Sequence, residues 1–108
     1  MIYPPGTGNY ILDGHNAVRC DNLLEWAKSF ETTDRRVALD HVGEVEVSTV
    51  FLGLDHNFFV GDPILFETMI FGGEHDQDQW RHKTWDEAEA FHKQLVLALQ
   101  TGKDYPHA

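Results

Sequence analysis

The stretch VSTVFLGLDHNFFVGDPILFETMIFGG, residues 47–73, decides how the rest of the chain is read. Two apolar runs flank a segment that carries Asp55, His56, Asn57 and Asp62, and the second run holds one acid, Glu67. The first run, Val45–Leu54, starts in alternation, with Glu46 and Ser48 set against Val45 and Val47, and ends as the wholly apolar VFLGL. Period-two alternation marks a strand, and a fully apolar end marks a strand covered on both faces. Pro63 stands at the entry to the second run, where a strand tolerates proline, and Gly72-Gly73 stops it. The two runs predict a hairpin at the centre of a sheet, Val45–Leu54 against Ile64–Phe71, with Asp55–Asp62 as its loop.

Alternation in the returning strand puts Leu65, Glu67, Met69 and Phe71 on one face and Ile64, Phe66, Thr68 and Ile70 on the other. A carboxylate between Leu65 and Met69 is costly unless it is paired. Arg35, Arg36, Arg81, Ser48 and Thr49 are the groups able to balance it. Left unbalanced, Glu67 suits acid–base chemistry or a cationic ligand.

Working outward, MIYPPGTGN at 1–9 is rich in proline and glycine and reads as a flexible arm. Asp13-Gly14 is a tight-turn signal that pairs residues 10–12 with 16–19. Asp21 is placed to cap a helix starting at Asn22, on which Leu23, Trp26, Ala27 and Phe30 share one face. RRVALDHV at 35–42 forms a strand. EHDQDQ, carrying Glu74, Asp76 and Asp78, is a polar turn, and a short strand QWRHK follows. Thr84 and Glu87 make a T-x-x-E capping box for a final helix whose face is Ala88, Phe91, Leu95, Ala98 and Leu99, ended by Gly102. The order β-β-α-β-β-β-β-α predicts an α+β fold: a mostly antiparallel sheet of five to six strands with two helices packed on one face. Residues 10–102 form a single domain and 103–108 a tail.

Eighteen acids against eight Lys and Arg give a net charge of −10. Such a surface repels phosphates, which disfavours direct nucleic-acid binding, and favours a protein partner with a basic surface. No apolar run is long enough to cross a bilayer and the N-terminus lacks a signal pattern, so the expected place is the cytoplasm, away from membranes. One cysteine, Cys20, forms no internal disulfide. A hairpin can bring His15 across from it as a base, the alternative being a small semi-buried thiol next to a helix start. There is no G-x-S-x-G elbow and no P-loop. Asp55, His56, His75, Asp76 and His82 offer metal donors, yet no H-x-x-x-H, H-E-x-x-H or C-x-x-C spacing unites them, so neither metal nor cofactor is expected. The residues singled out for binding are Asp55, His56 and Asn57 at the loop, whose types also suit a turn for plain backbone reasons, Glu67 and Arg36 on the strands, Glu74, Asp76 and Asp78 in the turn, and Trp80 as an aromatic anchor. A sheet face left apolar would also serve a homodimer.

VSTVFLGLDHNF, GDPILFETMIFGG, WDEAEAFH and YILDGHNAVRCDNLLEWAKSFETTDRRVA together resemble a group of small uncharacterised proteins of phages, prophages and bacteria. The resemblance spans roughly residues 10–99 and implies a mobile-element origin. It brings no activity with it. Combined with the charge, it points to an accessory protein that binds and inhibits a host nuclease or CRISPR-type defence complex, the alternatives being a nucleotide-like ligand binder or an enzyme using Glu67 and His56.

Overall fold

A computed structural model describes residues 8–59 and 61–107. Residues 1–7 of the expected N-terminal arm therefore lie outside the described residues. The adjoining Gly8 and Asn9 are tied into the domain: Gly8 O accepts from Asp55 N, and Asn9 bridges Leu54.

The hairpin prediction at the centre holds. Strands β1 (Tyr10–Asp13) and β2 (Asn16–Arg19) form one two-stranded sheet. Strands β3 (Arg36–Val42), β4 (Val45–Phe51), β5 (Phe66–Phe71) and β6 (Gln79–His82) form a second, antiparallel and in sequence order. The six strands are thus divided two and four rather than joined in one sheet. β4 stops at Phe51 because Gly53 takes a left-handed backbone at φ 76°, which ends regular pairing three residues before the expected limit.

Alternation decides the two faces of the four-stranded sheet. Val47, Thr49 and Phe51 on β4 and Phe66, Thr68 and Ile70 on β5 are buried. Helix α2 (Trp85–Thr101) lies across them, contributing Ala88, His92, Leu95 and Ala98, and it touches all four strands. Its ends follow the expected chemistry. The Thr84 side chain accepts from Glu87 N, Glu87 reaches back to Lys83 N, and Gly102 closes the helix in the left-handed region.

Where α2 begins, the β1–β2 hairpin extends the cover. Tyr10, Leu12 and Ala17 pack with Trp85 on the cluster Phe51, Leu65, Phe66 and Ala88. A second cluster, Val47, Ile70 and Leu95, lies under the later turns of α2. Thr49 and Thr68 occupy the sheet row between the two.

Helix α1 (Leu23–Thr32) departs from expectation. It packs beside β1, so only one helix covers the sheet. The reason lies in its short apolar face. The Trp26 indole donates to Gly53 O at 3.0 Å, and Phe30 sits under the Arg35 guanidinium at 3.7 Å, while Leu23 and Leu24 stay exposed. Two aromatics clamp the helix to the end of β4, and nothing is left to reach across the strands. Its N-cap is Asn22, whose side chain accepts from Glu25 N; Asp21 pairs with Arg19 instead. VFLGL is consequently covered on one face only, with Val50 half-exposed on the other.

Candidate functional site

The β4–β5 loop is built by its polar residues. Asp55 Oδ1 accepts from Asn57 N at 2.7 Å and from Ile64 N at 3.0 Å, which closes the loop across nine residues. Asn57 is buried; its amide donates to Asp62 O at 2.8 Å and its carbonyl accepts from Phe59 N at 2.9 Å. The His56 ring donates from Nδ1 to Leu54 O at 2.8 Å. Such Asx-type bonds hold backbone groups that no ladder satisfies. Asp55 and Asn57 thus hold the backbone, the turn-forming role their types also allow, and partly exposed His56 holds Leu54 O through one ring nitrogen. What they push outward is a pair of aromatics, Phe58 at 66% exposure and Phe59 at 82%, with Leu54 at 41%. The signal for them was present: two phenylalanines between Asn57 and Gly61, in a segment read as loop.

Below the loop, the sheet face away from α2 is uncovered. Register places Arg36, Val50, Glu67 and Arg81 in one cross-strand row, Leu39, Ser48, Met69 and Gln79 in the next, and His41, Glu46 and Phe71 in the third. A bulge between Arg36 and Ala38 keeps Arg36 on this side. Glu67 is balanced as one of the alternatives required, by Arg81 at 3.1 Å. Glu67 and Arg36 therefore share a row, but on the open face; they line no pocket beneath the helices. Glu67 and His56 spend their polar atoms on different partners and form no acid–base pair.

On the covered face runs a chain of hydrogen bonds. Asp40 Oδ2 meets His92 Nε2 at 2.8 Å, His92 Nδ1 meets Thr49 at 2.7 Å, Thr49 meets Thr68 at 2.6 Å, and Thr68 meets His82 Nε2 at 2.9 Å. Asp, His and a hydroxyl in line have the order of a hydrolytic triad. Here Thr49 is wholly buried between strands and helix, so its oxygen reaches no substrate. The chain satisfies polar groups in the core. Burial pushes the His82 imidazole below its usual value, partly opposed by the Glu87 carboxylate.

The acidic turn also works internally. Asp76 Oδ1 accepts from Gly72 N, and Asp78 accepts from the Tyr105 hydroxyl, while Glu74 is exposed. Tyr105 stacks on His75 with ring centres 3.8 Å apart and meets Trp80 edge-on, which fastens the C-terminal segment to the domain. Burial, with the Asp78 hydrogen bond and the charges of Asp78 and Glu74, pushes the Tyr105 phenol well up. Trp80 packs on Phe91 beneath α2, half-buried on the covered face.

His15 does not face Cys20. It sits in the β1–β2 turn and stacks flat on Trp85 at 3.9 Å, whereas the Cys20 thiol donates to Asn22 O. Among the described residues no three His, Cys, Asp or Glu side chains gather in a group that could hold a metal ion, and no helix is long and apolar enough to cross a membrane. No family model, no curated protein and no solved structure matches the chain.

Proposed function

We propose that this chain is a small binding protein of phage type, an accessory factor that docks on a basic host protein and inhibits it, a nuclease or CRISPR-type defence complex being the class that its charge suits. The observation that carries the reading is the loop: a backbone held by Asp55 and Asn57 that presents Phe58 and Phe59 to solvent. Phenylalanine is enriched in the buried cores of interfaces, and a pre-ordered backbone lowers the entropy lost on docking. The net charge of −10 supplies attraction at a distance toward a basic partner.

The test uses immobilised wild type and the Phe58→Ala/Phe59→Ala variant in host lysate at low ionic strength. A protein retained by the wild type, lost with the variant and released as salt shortens the screening length from ~10 Å at 0.1 M to ~3 Å at 1 M supports the reading. Identical recovery on both surfaces, or none on either, refutes it.

A second reading has one observation in its favour. A cleft of about 370 Å³ opens between the β1–β2 hairpin, the loop exit and the start of α2. Tyr10, Phe66 and Trp85 line it, His15 covers the Trp85 ring, and Lys83 and Glu87 stand at its polar side. That lining suits a planar aromatic molecule such as a nucleobase. A thermal-shift screen of nucleosides and nucleotides that moves Tm for none of them removes this reading.

A further inference from the structure

The open face of the four-stranded sheet differs electrostatically from the rest of the molecule. Across its three rows stand two arginines, Arg36 and Arg81, and two glutamates, Glu46 and Glu67, so with His41 neutral the face sums to zero. The chain carries −10, and the whole of that excess therefore lies on other surfaces. The charges on the face are also ordered. The Arg36–Val50–Glu67–Arg81 row has one net positive charge, the Leu39–Ser48–Met69–Gln79 row has none, and the His41–Glu46–Phe71 row has one net negative charge. Leu39, Val50 and Met69 are half-exposed, and Phe71 is 42% exposed.

From this we infer that the open face is a self-association surface, whose occupant is a second copy of this chain. An isologous interface must be complementary to itself. A two-fold axis running across the strands at the level of Met69 lays the positive row of each copy over the negative row of the other. It brings Met69 against Met69 of the second copy and Arg36 near Glu46 of the second copy. Two molecules of charge −10 repel most through the surfaces that carry the excess; this face, which sums to zero, lets them approach with less of that penalty. A basic partner, by contrast, finds no net charge here to attract it.

The size of the face sets the strength. Four strands ~4.8 Å apart and six residues at ~3.3 Å give a flat footprint of roughly 400 Å² per copy. That is about half the ~800 Å² per partner of a standard interface, so the dimer is weak and concentration-dependent.

Sedimentation velocity from about 10 µM to 1 mM, ionic strength fixed, tests it. The wild type shifts from monomer toward dimer across that range, and Met69→Glu, which places a charge at the axis, stays monomeric. Arg36→Glu and Glu46→Lys each weaken association by about tenfold or more, since like charges then face each other. The double swap restores it, because the rows are complementary again with signs reversed. Circular dichroism melts confirm that each variant folds. Amide shifts of wild-type protein on dilution, which need no variant, move in β3–β6 at open-face positions. A monomer at 1 mM, a dimer indifferent to Met69→Glu, or a double swap no better than either single change overturns the inference.

Discussion

Replacing Thr49 with valine removes one hydroxyl at nearly constant shape, and the geometry says what that hydroxyl does. A carboxylate only accepts hydrogen bonds, so at 2.8 Å the His92 Nε2 donates to Asp40. The Nδ1 of the neutral ring is then an acceptor, and at 2.7 Å it takes its hydrogen from Thr49. With its own hydrogen committed, Thr49 accepts from Thr68, and Thr68 accepts from the Nε2–H of His82. Valine breaks this chain in the middle. His92, 1% exposed, is left with an unpartnered Nδ1, and Thr68 loses its acceptor. A stranded buried polar group costs about 1–3 kcal/mol, and the added methyl returns less than ~1 kcal/mol. Thr49→Val therefore destabilises by about 1–3 kcal/mol, which for a domain near 100 residues lowers Tm by roughly 5–20 °C. Urea titration and calorimetry measure it. Thr49→Val/His92→Leu removes the stranded nitrogen as well and costs less than the sum of the two single changes. Imidazole nitrogen shifts read the same chain independently, with His92 protonated on Nε2 alone. A Thr49→Val variant within ~0.5 kcal/mol of wild type, or a His92 protonated on Nδ1, would show that the order of donors is wrong.

The pH dependence follows from His82, whose folded imidazole binds its proton less readily than the ~6.5 of the unfolded chain. Stability is intact above that pH and falls as acid protonates the unfolded state first; His82→Gln, which keeps a donor toward Thr68, flattens the fall between pH 7.5 and 5.5 in denaturant midpoints. Tyr105 behaves in the opposite sense: its phenol is held neutral in the fold, so stability is lost as pH rises past ~10, a loss absent in Tyr105→Phe. Thr84→Ala removes the α2 cap and costs about 1 kcal/mol, measured by urea unfolding. Asp55→Ala releases the amides of Asn57 and Ile64, and their hydrogen exchange accelerates while that of Val47 and Ile70 does not.

The central hairpin was legible because its signals are local. Alternation in β4 and β5 separated Thr68 and Ile70 from Glu67 and Met69, and the registers agree. The T-x-x-E box and Gly102 likewise act within a single turn of their helix. What the sequence did not disclose depends on partners distant along the chain. Nothing near Trp26 says that Gly53, twenty-seven residues on, will hold its indole at the end of β4. His92 stands among the apolar residues of α2 with no neighbour to mark it as part of a network reaching all four strands from β3 to β6. The loop residues allow two readings on chemical grounds. Asp55, His56 and Asn57 have the residue types of a binding tip and equally of a turn whose short polar side chains serve an unpaired backbone, and the latter use consumes Asp55 and Asn57.

Those bonds work against the burial of two rings. Fully covering a phenylalanine stabilises a fold by about 1.5–3 kcal/mol, so with Phe58 66% and Phe59 82% exposed the chain forgoes roughly 2–4.5 kcal/mol. A slack loop would recover part of this by folding the rings onto the nearby apolar surface of Leu54. Here Asp55 holds Asn57 N before the pair and Ile64 N on the returning strand, and Asn57 holds Phe59 N within it. The rings are kept out by hydrogen bonds whose own net worth is about 0.5–1.5 kcal/mol each for neutral partners and about 1.5–3 to a charged one. The polar bonds and the forgone burial are thus of similar size. On the proposed function, covering the two rings on a partner would return the burial that the isolated chain leaves unused.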